Sequence, residues 1–201
     1  MSLPYFDAAA IEAATPYPKL VAAIGDAFRD GGVATTRNIS TVRVWGRSPE
    51  KAATIAKWAR DNITDDAAVA TDLDRACGSA DVISAATFAT TPLIRGASLR
   101  AGVHVDLVGA YSPGMRETDA EVFRRADQVW VDTFEGAESE AGDLLAAIEE
   151  GAIELDDVAG DLFELARLAG AARHDAREIT VFKSVGTGLE DLAAAILCET
   201  G

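Results

Sequence analysis

Histidine and cysteine are scarce, two of each in 201 residues. Cys77 and Cys198 lie far apart with no metal-ligand spacing, and both sit among small apolar residues. They read as core thiols in a reducing, cytoplasmic compartment. His104 opens an apolar run and reads as structural, while His174, in Arg173-His174-Asp175, reads as solvated. No nucleophile-elbow or zinc-ligand signature occurs, which speaks against hydrolase and metalloenzyme chemistry. No uncharged apolar stretch of roughly 18 residues is found, so no membrane span is expected. Met1-Ser2-Leu3-Pro4 lacks the basic region and apolar run of a secretory signal. Positive charge is also short: 18 Lys and Arg stand against 33 Asp and Glu, a net charge of −15. Such a surface repels nucleic acid and anionic lipid, so the expected partner is a small molecule. A phosphate-bearing ligand would need a local cationic site. Finally, no G-x-G-x-x-G occurs anywhere.

What is present is an alternation of strands and helices. Residues 6–31 read as a helical preface: Asp7 can cap the first turn, Pro16 and Pro18 interrupt, and Leu20, Val21, Ile24, Ala27 and Phe28 recur at helical spacing before Gly31-Gly32. From Thr41 the pattern changes. The β-branched run at 42–45 predicts a strand, and Ser48-Pro49 the cap and first turn of a helix over 50–60. Further strands are expected at 68–70, 81–87, 104–109, 128–132 and 179–183. Helices are expected at 72–77, 116–126, 139–151 and 189–198. This alternation predicts an α/β fold, a Rossmann-like parallel sheet flanked by helices. Three parts are expected: residues 1–38 as an N-terminal helical remnant, 39–178 as the dinucleotide-binding domain, and 179–201 as a strand and helix returning to the N-terminal part.

Ligands of doubly wound sheets bind at the carboxyl ends of the strands, so the residues after each strand are the candidates. After the first comes Gly46-Arg47-Ser48, with Lys51 nearby. A carboxylate there would bind a free ribose 2′-hydroxyl, whereas an arginine accommodates a 2′-phosphate. No carboxylate is present, and Arg47 can bind phosphate bidentately; a solvated turn with a capping serine explains the same residues. After 81–87 comes Phe88-Ala89-Thr90-Thr91-Pro92, a hydroxyl-rich loop fit for a diphosphate or nicotinamide ribose, or simply a turn closed by Pro92. After 104–109 comes Ala110-Tyr111-Ser112-Pro113-Gly114, with Arg116-Glu117 behind it; Gly109 permits close backbone approach. At the end of 179–183, Lys183-Ser184-Val185-Gly186-Thr187-Gly188 is a glycine-spaced loop opening a helix, whose amides favour anions. Asp132 and Glu135 could be paired acids, but a strand end and a loop explain them equally.

Taken together, the blocks Val42 to Lys51, Ala80 to Thr87, Thr91-Pro92-Leu93-Ile94, Gly102-Val103-His104-Val105, Val108-Gly109-Ala110 with Pro113-Gly114 and Arg116-Glu117, Ala126-Asp127, and Thr180 to Gly186 with Glu190-Asp191 resemble the ornithine cyclodeaminase/mu-crystallin family. The start from Tyr5 through Phe28 also looks like the family's own. The resemblance implies a nicotinamide cofactor, with Arg47 and Ser48 falling where NADP-using members hold the 2′-phosphate. NADP(H) is therefore expected, with NAD(H) the alternative. Thr87, Phe88, Val108 and Gly109 fall on cofactor contacts, and Ser184 and Gly186 near the nicotinamide. It implies a homodimer, and a reductase of a small cyclic ketimine or related amino-acid substrate. The alternatives are a non-catalytic NADP(H) or small-ligand holder of mu-crystallin type, or an ornithine cyclodeaminase. Cyclodeaminases carry an aspartate where this chain has Tyr111, and tyrosine is no carboxylate base at neutral pH. Between Asn38 and Ile39 the family has a long segment with the substrate-domain strands, the first dinucleotide strand and its Gly-rich turn. Its lack here should leave two strand edges unpaired, with weak cofactor binding and no catalysis from the chain as it stands.

Overall fold

A computed structural model describes residues 39–168 and 172–188. The helices expected over 6–31 and 189–198, the 1–38 remnant, most of 179–201 and Cys198 lie wholly or largely outside those residues.

Strand β1, Val42–Val44, pairs in parallel with β2, Ala67–Val69. Helix α1, Pro49–Asn62, joins them. Ser48 caps it by accepting the Lys51 N–H at 3.3 Å, and Pro49 sits where a missing N–H costs nothing. Its buried stripe is Ala52, Ala56 and Ala59. These small residues at helical spacing bring the helix down onto both strands. Arg43 fastens the pair, bridging to Asp66 at 2.8 Å.

The other sheet holds four parallel strands: β3 Val82–Ala85, β4 His104–Leu107, β5 Gln128–Val131 and β6 Thr180–Lys183, in the order β3-β4-β6-β5. The last strand in the chain thus lies inside the sheet, with Val181 opposite both Val105 and Val129. Val103, Val105, Leu107, Val131 and Val181 are fully buried, as expected of strands covered on both faces. Helices α2 (Leu73–Ser79), α3 (Ala120–Arg125), α4 (Phe134–Glu140), α5 (Gly142–Glu149) and α6 (Leu162–Arg167) complete the described residues. No helix among them is long and apolar enough to cross a membrane.

The fold is therefore α/β with parallel sheets, but split in two. No backbone hydrogen bond joins the β1-β2 pair to the four-stranded sheet among the described residues. Among the described residues β3 has no neighbour on its outer edge, and Val82 on it is 44% exposed. In the 3-2-1-4-5-6 order a first strand would stand between these two edges; no strand fills that place among the described residues.

Two of the expected helices differ in extent, and α6 was not expected. The one expected over 116–126 begins at Ala120, because the Glu117 and Thr118 N–H groups are taken at 2.7 and 2.8 Å by the Asp143 carboxylate. The one expected over 139–151 is two helices that meet at Ala141, whose ψ of 82° is not helical. There the Gly142 N–H donates to the Ala110 carbonyl at 2.9 Å. Its Cα lies so near the Ser112 and Met115 carbonyls that any side chain would collide.

Candidate functional site

The candidate residues fall into two groups. Trp45, Gly46, Arg47, Ser48, Lys51, Ala52 and Ile55 line a cleft of about 320 Å³ at the N-terminal end of α1. The Ser48 hydroxyl caps the helix. Among the described residues Arg47 makes no ion pair or hydrogen bond, so its guanidinium is available to a ligand. An uncommitted cation beside a helix N-terminus, in a chain this acidic, suits a phosphate.

The second group is contiguous. Thr87, Phe88, Val108, Gly109, Ser184 and Gly186 follow the carboxyl ends of β3, β4 and β6, three neighbouring strands. The Val108 and Gly109 N–H groups donate to Ala85 O at 2.8 and 3.2 Å, and Ser184 N–H donates to Leu107 O at 2.9 Å. Phe88, 71% exposed, meets Tyr111 edge to face at 6.1 Å. With Val108 they give the tips an exposed apolar lip. Gly186 has φ of +91°, a region that favours glycine. Among the described residues no backbone hydrogen bond connects this group to the Arg47 cleft, since the two stand on different sheets.

Beneath the tips lies a buried charged layer that the sequence reading passed over. Lys183 is fully buried, and its ammonium donates to the Leu107 carbonyl at 3.3 Å, the Ser184 carbonyl at 2.9 Å and the Gly109 carbonyl. Asp143 Oδ2 lies 4.0 Å from it. Glu117, also fully buried, accepts the Thr87 N–H at 2.5 Å. Asp132 accepts the Ser184 hydroxyl and the Val185 and Gly186 N–H groups at 2.7–3.0 Å. Asp132 thus anchors a loop, and Glu135 is exposed on α4, so the two carboxylates do not form an acid pair. Arg116 turns away from Glu117 to bridge Glu150 at 2.6 Å. His104 is structural, its ring bonded to the Thr180 hydroxyl at 2.8 Å, and His174 is exposed. One signal for the layer was on view in the sequence: a lysine closing a strand otherwise suited to burial.

Burial shifts two groups, Asp143 and Lys183. It pushes the Asp143 carboxyl above its ordinary value of 3.8, against the opposing pull of the Thr118 N–H and Lys183. It holds Lys183 below its ordinary 10.5, against the pull of Asp143, Glu117, Asp132 and Asp106. The folded chain therefore holds the Asp143 proton over a window in which the unfolded chain has released it. The stability from that proton is complete below pH 3.8 and is lost as pH rises through the folded value. Asp143→Asn removes this dependence. In urea unfolding across the acid range, the stability of the natural chain minus that of the variant should decline as pH rises from 3.8. A difference that stays level or grows contradicts the assignment.

The family model described as the ornithine cyclodeaminase/mu-crystallin family matches residues 28–199. The chain is 41% identical over 157 residues to a Delta(1)-pyrroline-2-carboxylate reductase of Paracoccus denitrificans, covering 78% of this chain and 49% of that one. It is 38% identical to one of Colwellia psychrerythraea, covering 80% and 51%. The chain thus spans about half the length of the curated relatives it matches. Among solved structures, Thermococcus litoralis Delta(1)-pyrroline-2-carboxylate reductase in complex with NADH and L-proline is similar, with a TM-score of 0.74 and 31% identity over 81% of this chain and 50% of that one. The iminosuccinate reductase of Paracoccus denitrificans in complex with NAD+ shares the fold, with a TM-score of 0.73 at 24% identity over 90% and 61%.

Proposed function

The chain belongs to the ornithine cyclodeaminase/mu-crystallin family, and we propose that it is the dinucleotide-binding part of an NAD(P)H-dependent reductase of a small cyclic imine carboxylate. The observation that carries this reading is the row of strand tips from Thr87 to Gly186. It offers backbone groups, hydroxyls and exposed apolar side chains, while the carboxylates bonded to it, Glu117 and Asp132, are buried and each accepts backbone N–H groups of the tips. Such a row suits a flat uncharged ring and lacks a free base. Tyr111 supplies no carboxylate to handle a substrate amine, which favours imine reduction over cyclodeamination. The names of the pyrroline-carboxylate reductase relatives support the same class.

Arg47 and the helix end beside it would hold the 2′-phosphate of NADP(H), and Trp45 would flank the adenosine. Thr87, Phe88, Val108, Gly109, Ser184 and Gly186 would border the nicotinamide half. When bound, the nicotinamide supplies a hydride for the imine carbon. The apolar lip of Phe88, Val108 and Tyr111 would exclude water there. Nothing in the sequence replaces the Gly-rich turn as a diphosphate anchor, so binding by this chain alone is weak. The lack of a first strand among the described residues favours a second reading of the chain as it stands, a cofactor holder without catalysis. The same proposal makes the complete protein a cytoplasmic homodimer, in keeping with the free buried thiol of Cys77.

Titration with NADPH, followed by tryptophan fluorescence, tests the reading. Saturable quenching that disappears in Trp45→Phe is expected; a trace without saturation defeats the cofactor assignment. Oxidation of NADPH on addition of a cyclic imine carboxylate would identify a reductase, and its absence with binding intact a holder.

A further inference from the structure

Three loops of the candidate site hang on buried charges below them. The loop after β3 is held where Glu117 Oε1 accepts the Thr87 N–H at 2.5 Å. The loops after β4 and β6 are held together by the Lys183 ammonium, on the Gly109 and Ser184 carbonyls. Asp143 links the two holds: its Oδ1 accepts the Glu117 N–H at 2.7 Å, and its Oδ2 lies 4.0 Å from the Lys183 ammonium. All three side chains are at most 1% exposed. Glu117 Oε2 and Asp143 Oδ2 have no hydrogen-bond partner in the described structure. Burying one ammonium and two carboxyl groups costs more than an apolar core of the same volume, so the layer is a poor device for stability alone. What it does geometrically is fix three strand tips relative to one another.

We propose that Lys183, Glu117 and Asp143 form a buried ionic clamp that positions the loops after β3, β4 and β6, and so preorganises the nicotinamide half of the cofactor site. The inference rests on the dinucleotide reading above. Lys183 touches no ligand in it and acts through the Gly109 and Ser184 backbone as a positioning residue. Removing the ammonium leaves those two carbonyls without their side-chain donor and frees the tips to drift, while the Arg47 cleft, on the other sheet, is untouched.

The variant Lys183→Met retains the apolar stem and tests this in two ways. In the ligand-free chain, amide hydrogen exchange at Thr87, Gly109 and Ser184 should quicken about 10-fold or more, with Val129 and Val131 unchanged. In binding, the NADPH dissociation constant should rise about 10-fold, whereas adenosine 2′,5′-bisphosphate, which reaches only the Arg47 cleft, should change by less than about 2-fold. Equal losses for the two ligands would reduce Lys183 to a general structural role and overturn the clamp, as would unchanged exchange at the three amides. If the natural chain binds no NADPH, the cofactor reading fails separately and the clamp is judged on exchange. If Lys183→Met does not fold, Glu117→Gln replaces it. There, faster Thr87 exchange at an unchanged Val129 rate supports the clamp, and unaltered Thr87 exchange overturns it.

Discussion

The variant Arg47→Asp is expected to bind NADPH about 100-fold more weakly than the natural chain, with its affinity for NADH changed by less than about 3-fold. Two effects add. A charge-assisted hydrogen bond to phosphate contributes roughly 1.5–3 kcal/mol. The aspartate then places a negative charge against the dianion, a repulsion that solvent and salt keep small because the side chain is exposed. Together they reach about 3 kcal/mol, or about 100-fold. NADH has a hydroxyl where NADPH has the phosphate and escapes both. Lys51 lines the same cleft and shares the phosphate only in part, so Lys51→Ala should have a smaller effect. Competition titrations at fixed ionic strength measure the ratio, and equal losses for the two cofactors would contradict the assignment of Arg47 to the 2′-phosphate.

Gly109→Ala carries the second large effect. The residue is buried, and a Cβ there would run into the Thr87 carbonyl and the Glu117 carboxyl. Neither can yield cheaply: one is backbone, and the other is held by the Thr87 N–H. Moving Glu117 would strand a carboxyl group whose second oxygen is already unpartnered. Destabilisation of about 3 kcal/mol or more is expected by urea unfolding, together with loss of measurable NADPH binding. Gly114→Ala is the matched control, because open space surrounds that Cα; it should leave stability within about 0.5 kcal/mol. A Gly109→Ala chain as stable as the control would show that the tips are looser than described.

The strands were legible because local chemistry determines them. Val42–Val44, Val82–Ala85, His104–Leu107, Gln128–Val131 and Thr180–Lys183 are runs rich in β-branched or apolar residues, and each lies inside the span expected for it. Ser48-Pro49 marked the start of α1 for an equally local reason, a side-chain acceptor followed by a residue with no N–H to satisfy. Other features depend on partners distant in sequence. The late start of α3 follows from an Asp143 carboxylate that takes two of the N–H groups before it. The break at Ala141 follows from Gly142 lying against two carbonyls of the 112–115 loop. Helix α6 is short, its apolar spacing barely a turn and a half, and it was not expected at all. Nor does local pattern tell where β6 inserts, since pairing between β4 and β5 is a matter of topology. Of the candidate site, the strand-tip residues could be found because α/β sheets place ligands there. The buried layer beneath was harder to find: Glu117 and Asp143 are charged residues that solvent would accept as readily, and only Lys183, closing a strand suited to burial, marked it.

The central claim is that a nicotinamide dinucleotide lies along the tips of these strands, its adenosine in the Arg47 cleft. Proton–nitrogen correlation spectra of the chain, recorded while NADPH is added, test it directly and tolerate weak binding. The account predicts saturable shifts at the Trp45 indole and at the Arg47, Thr87, Gly109 and Gly186 amides, all following one dissociation constant. Shifts that do not saturate, or that gather at the outer surface of β5 and α6 with those five unmoved, would contradict it.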